Sequence, residues 1–240
     1  MDFGTNPIDL VVLAILAVSV AAGCYQGLLA TGANLTGFGI SLLAARLFYP
    51  GLALGVKAAG KVIPALLYYS ETADMLGTVE NYRTDVAGLT ETRLDSILSG
   101  MTLPHPLGEW FRKNVLEAVF AQDGIANLGD YLARTIAETV VNIFCFLFVF
   151  LIVYLAFTFL VNMLHYSFRF PKLAHFDGLL GGALGLGRGV LLVWVLFLMM
   201  PAVLSMAPVE MISDIVAGAK TTGFFYDGNI LFGLLRSYIG

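Results

Sequence analysis

The chain has 240 residues, of which 58% are hydrophobic and only 12% are charged, and its mean hydropathy is +0.84. A typical soluble domain has about 25% charged residues, so this composition excludes an ordinary soluble protein and indicates a membrane protein. The 13 basic and 17 acidic residues give a formal charge of −4, which leaves no basic face for nucleic-acid phosphates. We therefore expect a lipid bilayer, and no nucleic acid, as its surroundings.

The first apolar run contains 36 consecutive uncharged residues between Asp9 and Arg46. As one straight helix it would be roughly 54 Å long at ~1.5 Å per residue, whereas the hydrocarbon core is ~30 Å thick. The run must therefore fold back, and the stretch from Gly23 to Gly27 is the natural break. We predict a first transmembrane hairpin over residues 1–48, with spans near 8–23 and 28–48.

Two later apolar runs, residues 139–168 and 189–209, predict two more spans. Pro201 is tolerable in the last of them, because neighbouring helices can satisfy the freed carbonyl group. These runs give a second transmembrane hairpin over residues 139–206 with a glycine-rich helix. The predicted fold class is an all-α integral membrane protein with four transmembrane helices.

Four spans place both termini on the same face of the membrane. Arg169 and Lys172 lie in the second short connection, so the positive-inside rule favours short connections in the cytoplasm and termini outside. A cleaved signal peptide is the alternative for the first span, but Asp2 and Asp9 occupy the place of its basic region. We expect that span to be retained.

The central segment, residues 49–138, and the tail, residues 207–240, alternate apolar and polar residues at helical spacing. Lys57 and Lys61 suggest an interfacial helix whose lysines snorkel to the headgroups, and a fifth span interrupted by Pro64 is the alternative. We predict interfacial or extramembrane amphipathic helices near residues 49–69, 86–98, 110–120, 127–139, 208–219 and 230–239. The helix at 127–139 is expected to run directly into the third span and to extend it beyond the membrane.

The stretch 176–192 (FDGLLGGALGLGRGVLL) contains six glycines. Small residues at every fourth position form a ridge that lets another helix backbone approach closely in lipid. A phosphate-binding loop is the alternative, but no complete GxGxxG or GxxxxGK[ST] motif is present. The predicted ridges are Gly181, Gly185 and Gly189, with Gly178 and Gly182 beside them, and a second ridge of Gly23, Gly27 and Thr31 is able to receive them.

Ionisable and amide side chains within spans are candidates for function. Asp177 and Arg188 share a helix face, and we interpret Asp177 as the N-cap of its own helix and Arg188 as snorkelling to headgroups. Asn34, Asn142 and Arg188 could alternatively line a polar path. Cys24 and Cys145 show no metal or disulfide pattern, and no catalytic motif is present, so we expect no cofactor and no enzymatic activity.

Several of these features together resemble the colicin V production protein (CvpA) family of bacterial inner-membrane proteins. They are the Ile-Asp start at Ile8, the glycine-containing hairpin, LPHPL at 103–107, the third span with Asn142, and the glycine-rich stretch 176–192. Gly178 and Gln26 stand where the family often has basic residues. The resemblance implies the family signature Asp177, Gly181, Gly185, Arg188 and Gly189.

The resemblance further implies a non-enzymatic, multi-pass protein needed for colicin V (bacteriocin) production or export and for envelope homeostasis. We expect it to form a homo-oligomer or to bind other membrane proteins. The alternative is a small oligomeric channel or transporter subunit whose path is lined by Asn34, Asn142 and Arg188. A continuous hydrated cavity would favour that alternative, whereas separate helix contacts would favour the first interpretation.

Overall fold

The computed structural model describes residues 6–69, 75–101, 103–168, 176–206 and 210–239. These residues are helical or form connecting turns and loops, and the β-pairing among them is an isolated antiparallel bridge between Asp85 and Asn127. The helices are α1 (Pro7–Ala58), α2 (Val62–Tyr69), α3 (Val79–Arg83), α4 (Glu91–Ser99), α5 (Leu107–Leu116), α6 (Leu128–Phe168), α7 (Asp177–Phe197), α8 (Met200–Met206) and α9 (Glu210–Gly218). Short 3-10 helices lie at Val86–Gly88, Ala121–Asp123 and Ile230–Leu234, and a π-helix lies at Gly223–Asp227.

Three helical stretches in the described part of the chain are long and apolar enough to cross a membrane: Pro7–Ala58, Leu128–Leu164 and Asp177–Met206. The predicted all-helical membrane fold is thereby confirmed. The predicted count of four spans is not confirmed, because both spans of the first predicted hairpin lie in α1. The last stretch begins at Asp177 rather than near residue 189, so its glycines lie inside the helix.

A sharp break divides α1 at Gly27, whose φ of 79° and ψ of 176° are not helical. The Thr31 hydroxyl lies 3.4 Å from the Gly23 carbonyl oxygen, and the Asn34 amide donates to Gln26 over 3.2 Å. In an unbroken helix residues eight apart are separated by ~12 Å along the axis. The chain therefore changes direction at Gly27, within the predicted break.

The chain divides into two compact units. The first unit comprises Met1–Tyr49, Phe146–Leu198 and Asp214–Leu231, and the second comprises Pro50–Cys145, Met199–Ser213 and Phe232–Gly240.

In the first unit, the part of α1 after Gly27 runs antiparallel to α6. The ring centroids of Tyr49 and Phe146 are 5.7 Å apart, and that of Phe38 lies 5.0 and 5.5 Å from those of Phe150 and Tyr154. Later residues of α1 therefore contact earlier residues of α6, as antiparallel helices do. The opposite face of α6 stays open: Phe159, for example, is 72% exposed. Large exposed apolar faces of this kind require lipid or another protein.

In the second unit, short helices pack around the first part of α6. Phe111, Phe120 and Leu132 are fully buried in this core. On its surface Arg112 of α5 binds Glu91 and Asp95 of α4, and the hydrogen bond from Arg112 lowers the pKa of the Asp95 carboxyl. The predicted extension of the third span over 127–139 is confirmed, because α6 is continuous from Leu128.

Two predictions about the amphipathic segments differ in part from the structure. Residues 49–58 continue α1 as one helix, and Lys57, which was expected to snorkel to the headgroups, forms an ion pair instead, while Lys61 is exposed. The interfacial location of residues 49–69 stays a prediction. The tail has a helix at Glu210–Gly218, but after Ile230 only a 3-10 turn forms.

The orientation argument rests on residues that the structure does not describe. Arg169, Lys172 and Asp2 all lie outside the described residues.

Candidate functional site: a glycine seam and its buried carboxylates

Gly181 and Gly185 of α7 pack against the first half of α1 with no side chain between the two backbones, and Gly189 packs against the Ser19 side chain. A Cβ atom on Gly181 would overlap the carbonyl oxygen of Gly23, and one on Gly185 would overlap that of Ser19. A Cβ on Gly189 would lie 2.9 Å from the Cβ of Ser19. Only glycine fits at these positions, so the helices approach as closely as small-residue ridges allow in lipid.

The contacts follow an antiparallel order along the two helices. From the start of α7 onward its residues meet earlier and earlier residues of α1, in steps of four, which is the spacing of one helix face. We call this contact the glycine seam. It comprises Gly181, Gly185 and Gly189 of α7 and Ser19, Gly23 and Gly27 of α1.

Asp177 lies at one end of the glycine seam, beside the break in α1. Its Oδ1 accepts a hydrogen bond from the backbone N–H of Leu28 over 3.0 Å, and the residue is buried. Because Gly27 interrupts α1, the Leu28 N–H is one of the unsatisfied donors at a new helix start, where the helix dipole also favours a negative charge. The prediction that Asp177 caps its own helix was wrong: the N-cap position of α7 is Phe176, and Asp177 caps the second half of α1 instead.

A second buried carboxylate, Asp9, likewise accepts hydrogen bonds from backbone N–H groups at the start of another helical segment. Its Oδ1 accepts from the N–H and the hydroxyl of Thr221 over 3.0 and 2.7 Å, and its Oδ2 accepts from the N–H of Lys220 over 3.1 Å. These donors precede the helical turns from Thr222 to Asp227. The stretch 218–221, whose letters resemble the end of a phosphate loop, thus binds a carboxylate of its own chain.

Sequence reasoning used Asp9 as a landmark and missed this role. The signal present was an aspartate placed inside the first turn of an apolar run, where a charge is costly without partners. The partners could not be read from spacing, because Thr221 lies 212 residues away.

Residues 214–231 pack at the start of α1 and the end of α7. The Asn6 amide donates to the carbonyl of Ile215 over 2.7 Å, and the Asn229 amide donates to that of Trp194 over 2.8 Å. The indole of Trp194 stacks on Phe224 with ring centroids 5.8 Å apart. This part of the tail therefore belongs to the first unit.

The three residues of the predicted polar path are not brought together by their contacts. Asn34 donates to Gln26 and belongs to the first unit, whereas Asn142 donates to the carbonyl of Arg236 over 3.1 Å and belongs to the second. Arg188 is half-buried and makes no hydrogen bond or ion pair with the described residues.

A buried charge cluster lies in the second unit. Lys57 pairs with the fully buried Glu138, whose other oxygen lies 3.3 Å from Arg134. Lys57 also donates to the Ile239 carbonyl over 2.6 Å and lies over the Tyr238 ring. Sequence reasoning missed this cluster, because Glu138 was assigned to the edge of a span and Lys57 to the membrane surface.

Other chemistry-bearing residues lie apart from one another. Within the described residues, no three or more His, Cys, Asp or Glu side chains come together as a possible metal site. Cys24 is exposed, Cys145 is buried, and both are free thiols. His105 packs edge-on against Phe232. The buried carboxylates of the first unit, Asp9 and Asp177, are held by backbone N–H groups, an arrangement suited to holding segments together.

Comparison with known proteins gives one match. The family model described as colicin V production protein matches residues 104–226, which are 123 of the 240 residues and include all of α7. No curated protein and no solved structure matches the chain.

Proposed function

The chain belongs to the colicin V production protein family, and from that premise we propose that it is a multi-pass protein of the bacterial inner membrane. Its role is to support bacteriocin production or export and envelope homeostasis by binding other membrane components. It acts through contact surfaces, without catalysing a reaction.

The glycine seam and the Asp177 cap are the observation that carries this proposal. Backbone meets backbone along the seam, and the buried carboxylate is occupied by the N–H of Leu28. These groups are used to hold helices together. The apolar faces left open on α1 and α6, with Leu47 74% and Phe159 72% exposed, supply surface for lipid or for partner helices.

Four membrane crossings are part of the proposal. The chain changes direction at Gly27, the first half of α1 is antiparallel to α7, and the second half is antiparallel to α6. Asp177 contacts Leu28, so the start of α7 lies beside the break in α1. Two helical hairpins whose short connections lie at the same end satisfy all these contacts. With those connections in the cytoplasm, the termini are outside.

An oligomeric channel or transporter subunit is the second candidate. The observation in its favour is that the Oδ1 atoms of Asn34 and Asn142 are buried and have no hydrogen-bond partner among the described residues. Buried acceptors of this kind commonly bind water. If the protein is a conduit, proteoliposomes that contain it should show a flux of ions or solutes across their membrane. That flux should change in the variants Asn34→Ala and Asn142→Ala.

A complementation experiment with a matched pair of variants tests the first proposal. In a colicin-V-producing strain that lacks this gene, wild type and Gly187→Leu should restore secreted bacteriocin, because a Cβ on Gly187 would meet no atom within 4 Å. Gly185→Leu should not, because that side chain would separate α7 from Ser19. Immunoblots of membrane fractions establish that both variants are present. Full activity of Gly185→Leu at wild-type abundance would contradict the proposal.

A further inference from the structure

Residues 232–239 begin within the 3-10 helix Ile230–Leu234 and continue as irregular backbone in the second unit, and we call them the strap. A buried segment of irregular backbone must find partners for its N–H and C=O groups in side chains or water. Half of the eight strap residues are buried, namely Phe232, Leu235, Ser237 and Ile239. The contacts that hold the strap are therefore made by individual side chains.

Two side chains of the second unit donate hydrogen bonds to carbonyl groups of the strap. The Asn142 amide on α6 donates to the carbonyl of Arg236 over 3.1 Å. The Lys57 ammonium at the end of α1 donates to the carbonyl of Ile239 over 2.6 Å, while it also pairs with Glu138. The strap therefore lies across Lys57 and Asn142, and it contacts Lys57 at the buried ion pair.

Aromatic contacts attach the strap at two further points. The Lys57 ammonium lies 5.4 Å from the centroid of the Tyr238 ring, which also packs edge-on against Phe120 with ring centroids 5.3 Å apart. Phe232 packs edge-on against Trp110, with ring centroids 6.2 Å apart. Aromatic pairs of this kind add to the gain from burying apolar area. Together with the two hydrogen bonds, they favour the closed position of the strap.

Polar groups under the strap oppose its closure. The Oδ1 atom of Asn142 is buried and has no hydrogen-bond partner among the described residues, although the strap uses the nitrogen of the same amide. Both carboxylate oxygens of Glu138 are buried, and among the described residues they have ion pairs and no hydrogen bond. Such atoms are hydrated when they are exposed, so closure either leaves them unsatisfied or fixes a water molecule beside them. The closed position is thus stabilised by some contacts and destabilised by others.

We propose that the strap is a lid that opens on its own, without unfolding of the second unit, and so exposes Lys57, Glu138 and Asn142 to water. Segments held by few regular hydrogen bonds open locally at a lower free energy than the core around them. In the open state the Lys57 ammonium and the Asn142 amide, which bind carbonyl groups of the strap, are free to bind other carbonyl groups. The strap therefore controls access to a buried polar surface, a property beyond the proposed function.

Cysteine protection separates local opening from unfolding of the whole unit. In the full chain with Cys24 and Cys145 replaced by alanine, Ser237→Cys places a thiol at a buried position of the strap, and Thr135→Cys places one in the core of the same unit. Each variant is treated in detergent with N-ethylmaleimide, and its rate is divided by the rate of the same variant after denaturation. If the strap opens on its own, Ser237→Cys should react at least about tenfold faster than Thr135→Cys.

A change at one attachment point makes the test specific to the strap. Asn142→Ala removes the donor to the Arg236 carbonyl and should accelerate the reaction of Ser237→Cys by about tenfold, without accelerating that of Thr135→Cys. Asn81→Ala is the matched control, because it removes an amide of the same unit that donates to the Leu76 carbonyl, and it should change neither rate.

Equal protection of positions 237 and 135 would show that the strap opens only with the whole unit and would overturn the inference. Reaction of Ser237→Cys at the rate of the denatured chain would overturn it too, because the strap would then not close. The inference also fails if Asn142→Ala accelerates both reactions equally or leaves the rate of Ser237→Cys unchanged. Thermal unfolding in the same detergent establishes that each variant is folded before it is labelled.

Discussion

Gly185 and Gly187 lie two positions apart on α7 and have opposite surroundings. A Cβ on Gly185 would overlap the carbonyl oxygen of Ser19, whereas one on Gly187 would meet nothing within 4 Å. Gly185→Ala should therefore lower the free energy of unfolding by about 1–3 kcal/mol through overpacking. Gly187→Ala should raise it by up to about 1 kcal/mol, since alanine is the better helix former. Thermal unfolding in the same detergent measures both.

The test depends on whether Gly185→Ala has a lower free energy of unfolding than Gly187→Ala. If Gly185→Ala is as stable as Gly187→Ala, α7 does not approach α1 along the glycine seam. Such a result would remove the packing basis of the proposed function.

Asp177 offers a second prediction at the level of one side chain. Asp177→Ala removes the acceptor for the Leu28 N–H and should destabilise the chain by about 0.5–2 kcal/mol, as does the loss of other helix caps. Asp177→Asn keeps an Oδ1 acceptor in the same place and should lose less stability. Its loss should come mainly from removing the negative charge at the helix start. The measurement is again unfolding in detergent, and equal losses in both variants would indicate that the hydrogen bond to Leu28 contributes nothing.

The faces of these residues could be predicted from sequence, but most of their partners could not. Glycines at every fourth position must share a helix face, so the ridge of Gly181 and Gly185 followed from periodicity alone. The partner of Asp177 is 149 residues away, and nothing in its neighbourhood specifies Leu28. The exact break was equally hidden, because both Gly23 and Gly27 are able to adopt a positive φ and only the latter does.

At the scale of helices, the ion pair between Lys57 and Glu138 joins the end of α1 to α6 inside the second unit. The Lys57 side chain is 11% exposed and that of Glu138 is fully buried. Lys57→Met leaves a buried carboxylate whose remaining ion-pair partner among the described residues is Arg134, 3.3 Å away, and should cost about 3–5 kcal/mol. The double variant Lys57→Met with Glu138→Leu should recover most of this loss, because well-packed apolar residues often replace a buried pair without penalty.

A double-mutant cycle from chemical unfolding of the four proteins measures this coupling. Lys61→Met is the control, since Lys61 lies four residues from Lys57 and is exposed. If Lys57→Met and Lys61→Met have the same small effect, the buried pair is not part of the fold in detergent, and the interfacial position expected from the sequence would regain support.

Most of the helices could be predicted from the sequence. The predictions that differ from the structure are those that depend on contacts between helices. The apolar runs and the continuous α6 from Leu128 follow from hydrophobicity and periodicity. The snorkelling expected of Lys57 was wrong, because its ammonium group pairs with a carboxylate 81 residues later in the chain. Propensity and spacing describe one helix at a time, whereas a buried ion pair is a property of two.

For the whole molecule, the decisive question is how the long helix α1 meets the membrane. Its 52 residues would span roughly 78 Å if straight, far beyond the ~30 Å core. In the proposed four-span arrangement the break at Gly27 removes this mismatch, because the chain returns toward the face from which it came. In that arrangement Cys24, which is exposed and lies three residues before the break, is at the membrane surface rather than at its centre.

Native cysteines make this topology testable without altering the first hairpin. In intact cells a membrane-impermeant maleimide should not label Cys24, whereas it should do so in inverted membrane vesicles, because we propose that the short connections face the cytoplasm. Cys145 is buried and should react in neither preparation. Ser99→Cys, at an exposed position of α4, should show the opposite pattern, since the central segment belongs on the other face. Protection of Cys24 in both preparations would place residue 24 within the bilayer and exclude a hairpin at Gly27, whereas labelling of Cys24 in intact cells alone would keep the hairpin and invert the orientation.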